Sequence, residues 1–314
     1  MHLCNDLCEK FNFLQYKAST QSKGKKKWEK NRTTYVGGLN IRVHTRHAAE
    51  EYATLWKALH RLRLPTTRGV NAIMIGDVRS LGDAPDAPLT GSLYRFTNIN
   101  RDDPWFDIDE HKEADADDLA GVKIPTNLKA NLKEYPYLFD IQKHKLFFKS
   151  GGYHGGISSW LVQKMLENLS GRPSIIRRFG SVDHTVMTEH GVLERLLQWP
   201  EIRQIEVVLE RPNPTDFDDD ASFYERLNRR NLRKEITTFV KADEEKTITP
   251  DEEMQKMFKV ALNNGRYTQK GKSAKGVNET ASSVEYPLKE STTYDPGITT
   301  ELEALIQVAR GLAG

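Results

Sequence analysis

One stretch near the middle of the chain, Glu134 to Leu169, restricts the possible folds more than any other. Tyr135-Pro136-Tyr137-Leu138-Phe139-Asp140-Ile141 and Lys145-Leu146-Phe147-Phe148-Lys149 are two short apolar and aromatic runs around a polar corner, Gln142 to His144. Runs of this kind, so closely spaced, predict a β-hairpin. Ser150-Gly151-Gly152-Tyr153-His154-Gly155-Gly156 follows, and strand geometry has to stop where glycine is so dense. Ser158-Ser159 then precedes Trp160 to Leu169, whose apolar residues recur at helical spacing, with a serine placed to cap the first turn. Strand, turn, strand, glycine elbow and helix in one segment commit the chain to mixing sheet with helix.

Similar units flank this one. Residues 10–16 alternate and predict a first strand; 33–44, with Tyr35, Val36, Leu39, Ile41 and Val43, predict a returning one. A helix is expected over 48–64, stopped by Pro65, then strands over 70–75 and 91–99 around a Pro/Asp/Gly loop at 82–88. Ile176, Phe179, Val182 and Val186 predict a strand over 175–187. A helix over 190–199 and a strand over 202–209 follow, ending at Arg211-Pro212-Asn213-Pro214. Phe223, Leu227, Leu232 and Ile236 predict a long helix over 222–239, with another over 250–262. Residues 268–297 read as loop or extended edge, and 300–312 as a C-terminal helix. Recurring strand-helix-strand units predict an α+β protein rather than a doubly wound sheet, with mixed or antiparallel sheets and packed helices in two subdomains. The expected division is 1–101, an N-terminal subdomain with a basic hairpin arm; 102–133, an acidic insert; 134–270, a central α+β subdomain; and 271–314, a polar tail with its helix.

Several function classes fall away. No run approaches the ~20 apolar residues that span a bilayer. Met1-His2-Leu3-Cys4 opens no basic region followed by an apolar one, so the expected location is cytoplasmic. The only cysteines, Cys4 and Cys8, fall short of the roughly four ligands of a structural metal site and read as reduced thiols. His144, His154, His184 and His190 sit in no recognised catalytic motif and read as surface or turn residues. Gly151 to Gly156 lacks the Gly-Lys-Ser/Thr ending of a phosphate loop and reads as a structural elbow. No catalytic residue, metal ligand or cofactor is expected. The aspartate-rich 102–118 segment reads as a solvated linker with Pro104-Trp105-Phe106 docked. Asp216, Asp218, Asp219 and Asp220 read as an acidic turn leading a helix. The alternative is a metal-dependent nuclease using those carboxylates just past the 202–209 strand.

The net charge of +2 is close to balanced, but its distribution is not. Lys17, Lys23, Lys25, Lys26, Lys27, Lys30 and Arg32 crowd one polar run with only Glu29 opposing. Arg226, Arg229, Arg230, Arg233 and Lys234 form a second cluster, four of them near one face of the expected helix. Lys270, Lys272 and Lys275 stand among glycines as a third. Lys and Arg bind phosphate whatever the base sequence, so these clusters point to nucleic acid.

The order of features resembles the phage-exclusion protein RexA and related bacterial and prophage proteins of unknown function. The resemblance rests on Ser22-Lys23-Gly24-Lys25-Lys26-Lys27, on Tyr135 to Asp140 leading into Gly155-Gly156-Ile157-Ser158-Ser159-Trp160-Leu161, and on Leu193 to Leu209 closing on Arg211-Pro212-Asn213. It implies a non-enzymatic homodimer of RdgC-like architecture that binds double-stranded DNA without sequence preference in anti-phage defence. The acidic 102–118 insert and the Pro/Asn/Asp segment after 209 depart from RexA. A second reading is a protein-binding sensor that contacts another protein of a defence system, with the basic arm serving only solubility.

Overall fold

The computed structural model describes residues 31–44, 48–100, 102–151, 155–210 and 221–313. The expected strand over 10–16, Cys4, Cys8, Lys17, Lys23, Lys25, Lys26, Lys27, Lys30, His154 and the aspartates at 216–220 lie outside the described residues.

Five strands precede the acidic insert: β1 (Arg32–Val43), β2 (Thr66–Arg68), β3 (Asn71–Ile75), β4 (Arg79–Ser80) and β5 (Leu89–Thr97). The insert adds a two-stranded ribbon, β6 (Phe106–Asp107) with β7 (Lys112–Glu113). Then come β8 (Ala130–Asp140), β9 (Lys145–Lys149), β10 (Val182–Val186), β11 (Glu201–Glu210), β12 (Lys234–Val240), β13 (Gly265–Lys272), β14 (Asn278–Ser282) and β15 (Glu290–Tyr294). The helices are α1 (Ala49–Arg61), α2 (Ser159–Ser170), α3 (Pro173–Phe179), α4 (Val192–Leu197), α5 (Ala221–Arg229), α6 (Glu252–Asn263) and α7 (Glu301–Ala313).

The fold is α+β with antiparallel strand pairing. A nine-stranded sheet runs β10-β1-β9-β8-β5-β3-β2, with β15 also on β1 and β4 on β5. A four-stranded sheet runs β12-β11-β13-β14. Strand β1 holds the large sheet together. One edge pairs Val36–Asn40 with β9; the other is shared by β15, over Arg32–Val36, and β10, over Leu39–Val43. The large sheet draws strands from both sides of 102–133, so that insert loops out of one sheet. Residues 271–314 are likewise built in: β14 extends the small sheet, β15 pairs with β1, and α7 packs on the large sheet.

Alternation decides the two faces. Tyr137, Phe139, Leu146 and Phe148 turn to a core filled by Tyr52 and Trp56 of α1, Val162, Met165 and Leu166 of α2, and Ile175 and Phe179 of α3. Leu138 and Phe147 turn the other way, to Leu305 and Ala309 of α7. Trp56 is fully buried and its indole N–H donates to the Tyr137 hydroxyl at 2.9 Å, which donates in turn to the Asp77 carbonyl at 2.8 Å. Each polar handle is thus satisfied where the ring is buried.

The mid-chain unit folds as its sequence predicts. β8 and β9 pair with Tyr137 opposite Phe148, and Asp140 accepts from the Gln142 and Lys143 amides across the corner. Ser158 caps α2, accepting from Leu161 N at 3.3 Å. Gly156 is required by close approach, since a Cβ there would sit 1.8 Å from the Ser150 carbonyl oxygen.

Four expectations need correction. Residues 175–179 belong to helix α3, because Pro173 opens a helical turn, Ile175 and Phe179 lie one turn apart on the core, and Gly180 at φ 74° ends it. The helix expected over 222–239 stops at Arg229. Asn231 turns the chain at φ 55°, and the alternating, β-branched Lys-Glu-Ile-Thr-Thr-Phe-Val of 234–240 forms β12. Residues 268–297 do carry extended edge strands, β14 and β15, but they also hold most of β13, which lies inside the small sheet. Phe106 is 64% exposed rather than docked, and the Asp107 and Asp115 carboxylates accept backbone N–H bonds inside their own turns.

The two sheets meet at a buried polar joint. Arg42 of β1, 1% exposed, donates to Asn264 at 3.2 Å, to Thr185 at 2.6 Å and to Glu210 at the end of β11. Asn40 donates to Asn264 at 2.8 Å. Beside them, His44 meets Asp183 at 2.6 Å.

Candidate nucleic-acid interface

The cations singled out by sequence end up in different settings. Arg32 opens β1 opposite Tyr294. The 226–234 cluster does not share a helix face, because α5 ends before it is complete. Arg226 is ion-paired to Glu235 at 3.1 Å and lies over the Phe223 ring. Arg233 reaches Asp183 at 3.2 Å. Arg229 and Arg230 are exposed where α5 ends, and Lys234 begins β12.

Lys270 and Lys272 lie on β13, and Lys275 in the turn between β13 and β14. Lys270, Lys272 and Lys234 all point to the face of the small sheet away from its core, since Tyr267, Val207 and Leu209 occupy the inner positions. They do not converge. Lys234 is opposite Glu210, whereas Lys270 is opposite Gln204, six residues along β11, or roughly 20 Å at the usual strand rise. Arg266 lies between them and is paired with Glu206 at 2.9 Å.

A further group of cations lies elsewhere, on the helical layer of the large sheet. Arg61 closes α1, and Arg63 follows it in the left-handed region at φ 49°. Arg68 ends β2 and stacks over Trp160 at 4.7 Å, with Trp160 itself 51% exposed at the start of α2. Lys164 lies one turn on, paired with Glu167 at 3.2 Å. Arg172 holds Asn168 at 3.2 Å, and Asn168 donates to Thr66 at 3.0 Å. That last bond ties the α1–β2 connection to the α2–α3 connection, which brings Arg61, Arg63 and Arg172 into one neighbourhood. Arg177 and Arg178 extend it along α3, which packs against both α1 and α2. Arg61, Arg63 and Arg177 have no carboxylate partner among the described residues.

Sequence reasoning missed this surface for a definite reason. Reading 175–187 as one strand put Arg177 and Arg178 on opposite faces of a sheet. The arginines at 61, 63 and 68 are spread over a helix end, a turn and a short strand, so no window contains a cluster. No local signal records the surface, because the Asn168–Thr66 bond that joins the two connections links residues 102 positions apart.

Two perturbed groups sit by the joint between the sheets. Burial holds His184 well below the usual imidazole range, at about 4, with its ring 3.5 Å from the Ser170 hydroxyl. Burial pushes Asp183 upward, but the His44 hydrogen bond and the charges of His44, Arg233 and Arg42 outweigh it and hold the carboxyl below its ordinary value. His144 stacks on Tyr52 at 3.9 Å inside the core, and His190 is exposed. His184, buried on β10, departs from the expectation of a surface or turn residue, whereas His144, though buried, does stand in the turn between β8 and β9.

Among the described residues, no group of three His, Cys, Asp or Glu side chains is arranged to hold a metal ion. No helix of the described residues is long and apolar enough to cross a membrane. A family model described as "Domain of unknown function (DUF4747)" matches residues 32–310. No curated protein matches the chain.

Proposed function

We propose that this chain, which belongs to the DUF4747 family, binds duplex DNA through its phosphates without reading base sequence. The observation that carries the reading is the arginine surface around the Thr66–Asn168 bond. Arg61, Arg63, Arg68, Arg172, Arg177 and Arg178 lie exposed on the segments around it, Arg68 over the Trp160 ring and Arg178 over the Phe179 ring, above a packed core. The core holds the backbone beneath these residues in place, and their positive field steers a polyanion to the site. Phosphate contacts position a protein on a duplex but carry no sequence information. Lys270, Lys272 and Lys275, and the lysines of the 17–32 run, add long-range attraction to the same polyanion. The resemblance to RexA supports a role in phage exclusion, with no bond made or broken in the DNA.

The test is fluorescence anisotropy with labelled duplexes of several unrelated sequences at two salt concentrations. The expected result is one affinity for all sequences, weakening steeply as salt rises. Absence of binding at low salt, or a strong preference for one sequence, contradicts the proposal.

A further inference from the structure

We propose that β12 is a self-association edge: two copies pair through it, antiparallel, about a two-fold axis at Thr238, joining their small sheets into one.

Strand β12 lies at the end of the small sheet, with no further strand beside it among the described residues. Hydrogen-bond parity shows which groups face that edge. Lys241 N donates to the Arg203 carbonyl at 2.8 Å, and Glu210 N, on the other side of β11, donates to the Asn264 carbonyl at 2.9 Å. Odd-numbered residues of β12 therefore bond to β11. Even-numbered ones, Ile236, Thr238 and Val240, direct their N–H and C=O groups to the open side. Their side chains lie on the outer face, where Ile236 is 58% and Val240 75% exposed.

An exposed strand with open backbone groups and large apolar side chains is a template for another strand, and proteins usually blunt such edges with charge, proline or a bulge. Here the middle of the strand has none of these. A two-fold pair must be self-complementary, residue i facing j while j faces i. Centring the axis on Thr237 sets Glu235 against Phe239 and Lys234 against Val240. Centring it on Thr238 sets Ile236 of one copy against Val240 of the other twice over, Thr238 against Thr238, and Glu235 against Lys241 at both ends. The second register matches apolar with apolar, and it places the hydrogen-bonding pairs on Ile236, Thr238 and Val240, as the parity requires; Glu235 and Lys241 add nothing to it, being engaged by Arg226 and by the carbonyls of residues 242, 243 and 245. A second copy of this chain is therefore the occupant that fits.

The experiment uses the full chain with Cys4→Ser and Cys8→Ser, so that neither native thiol interferes. Light scattering over a wide concentration range should give a dimer. Thr238→Pro removes only an N–H on the open side, a position where an edge strand tolerates proline, and should weaken association by about tenfold or more. Thr238→Cys should form a disulfide-linked dimer on mild oxidation, because Cα atoms of a hydrogen-bonded pair lie about 5.5 Å apart, within disulfide reach. Thr268→Cys, on the same face but inside the sheet, should not. Ile236→Cys mixed with Val240→Cys should cross-link between the two variants. A monomer at every concentration overturns the proposal, as does a dimer that Thr238→Cys fails to lock. Should Thr238→Pro not fold, the cysteine pairs decide. None of these readouts involves DNA, so this proposal and the duplex-binding one fail separately.

Discussion

Arg42 of β1 donates to Glu210 of β11, and this buried contact is where the two sheets of the molecule are joined. Arg42 is 1% exposed, and its terminal nitrogens also donate to Asn264 and Thr185 while its Nε is buried without a partner, so a charge taken out of water is held by groups from three other places in the chain. Removing one partner of such a pair leaves the other uncompensated. Arg42→Ala should destabilise the fold by about 3–5 kcal/mol. Denaturant unfolding followed by tryptophan fluorescence measures it. A loss under ~1 kcal/mol would show that the joint is solvated and weak.

His184 makes stability depend on pH. Its folded value of about 4 is depressed from the ordinary 6.5, so the unfolded chain binds the proton more readily. Stability from keeping the ring neutral is complete above 6.5 and is lost as pH falls through 6.5 towards 4. The loss across that window is of the order of 3 kcal/mol. Asp183, held below its usual range, adds a further loss at the acid end. His184→Leu should flatten the profile between pH 6.5 and 4, and unfolding midpoints at several pH values check this. An unchanged slope would assign the dependence to other groups.

Gly91 allows β5 to pass the Asp77 backbone. A Cβ at that position would lie 2.1 Å from the Asp77 carbonyl oxygen, the acceptor of the Tyr137 hydroxyl. Gly91→Ala should cost about 1–3 kcal/mol because backbone has to move. Gly121→Ala, with nothing within 4 Å of the added carbon, should stay within roughly 0.5 kcal/mol. Thermal unfolding of the two variants, side by side, separates a steric cost from a general effect of alanine.

Local chemistry explains what was legible in the sequence. Hairpin, glycine elbow and Ser158 cap were readable because each depends on residues within one turn of each other. The α+β class followed from those units. The sheet's closure was not readable, because β1 pairs with strands more than a hundred residues away and nothing local records which. The 222–239 error has the same root. Phe223 and Leu227 set a helical period that Leu232 and Ile236 continue by coincidence, while Asn231 in the left-handed region turns the chain. The arginine surface depends on a bond from Thr66 to Asn168, and no reading of either segment alone contains it.

The central claim is that phosphates meet the helical layer around Thr66 and Asn168. Its most direct test compares the salt dependence of duplex binding in the unmodified chain, in Arg63→Glu/Arg172→Glu/Arg177→Glu and in Lys270→Glu/Lys272→Glu/Lys275→Glu. The account predicts that the arginine triple weakens every duplex alike and lowers the slope of log K against log salt by about three, at roughly 0.9 per lost phosphate contact. The lysine triple should change both less. An arginine triple with unaltered affinity and slope would contradict it.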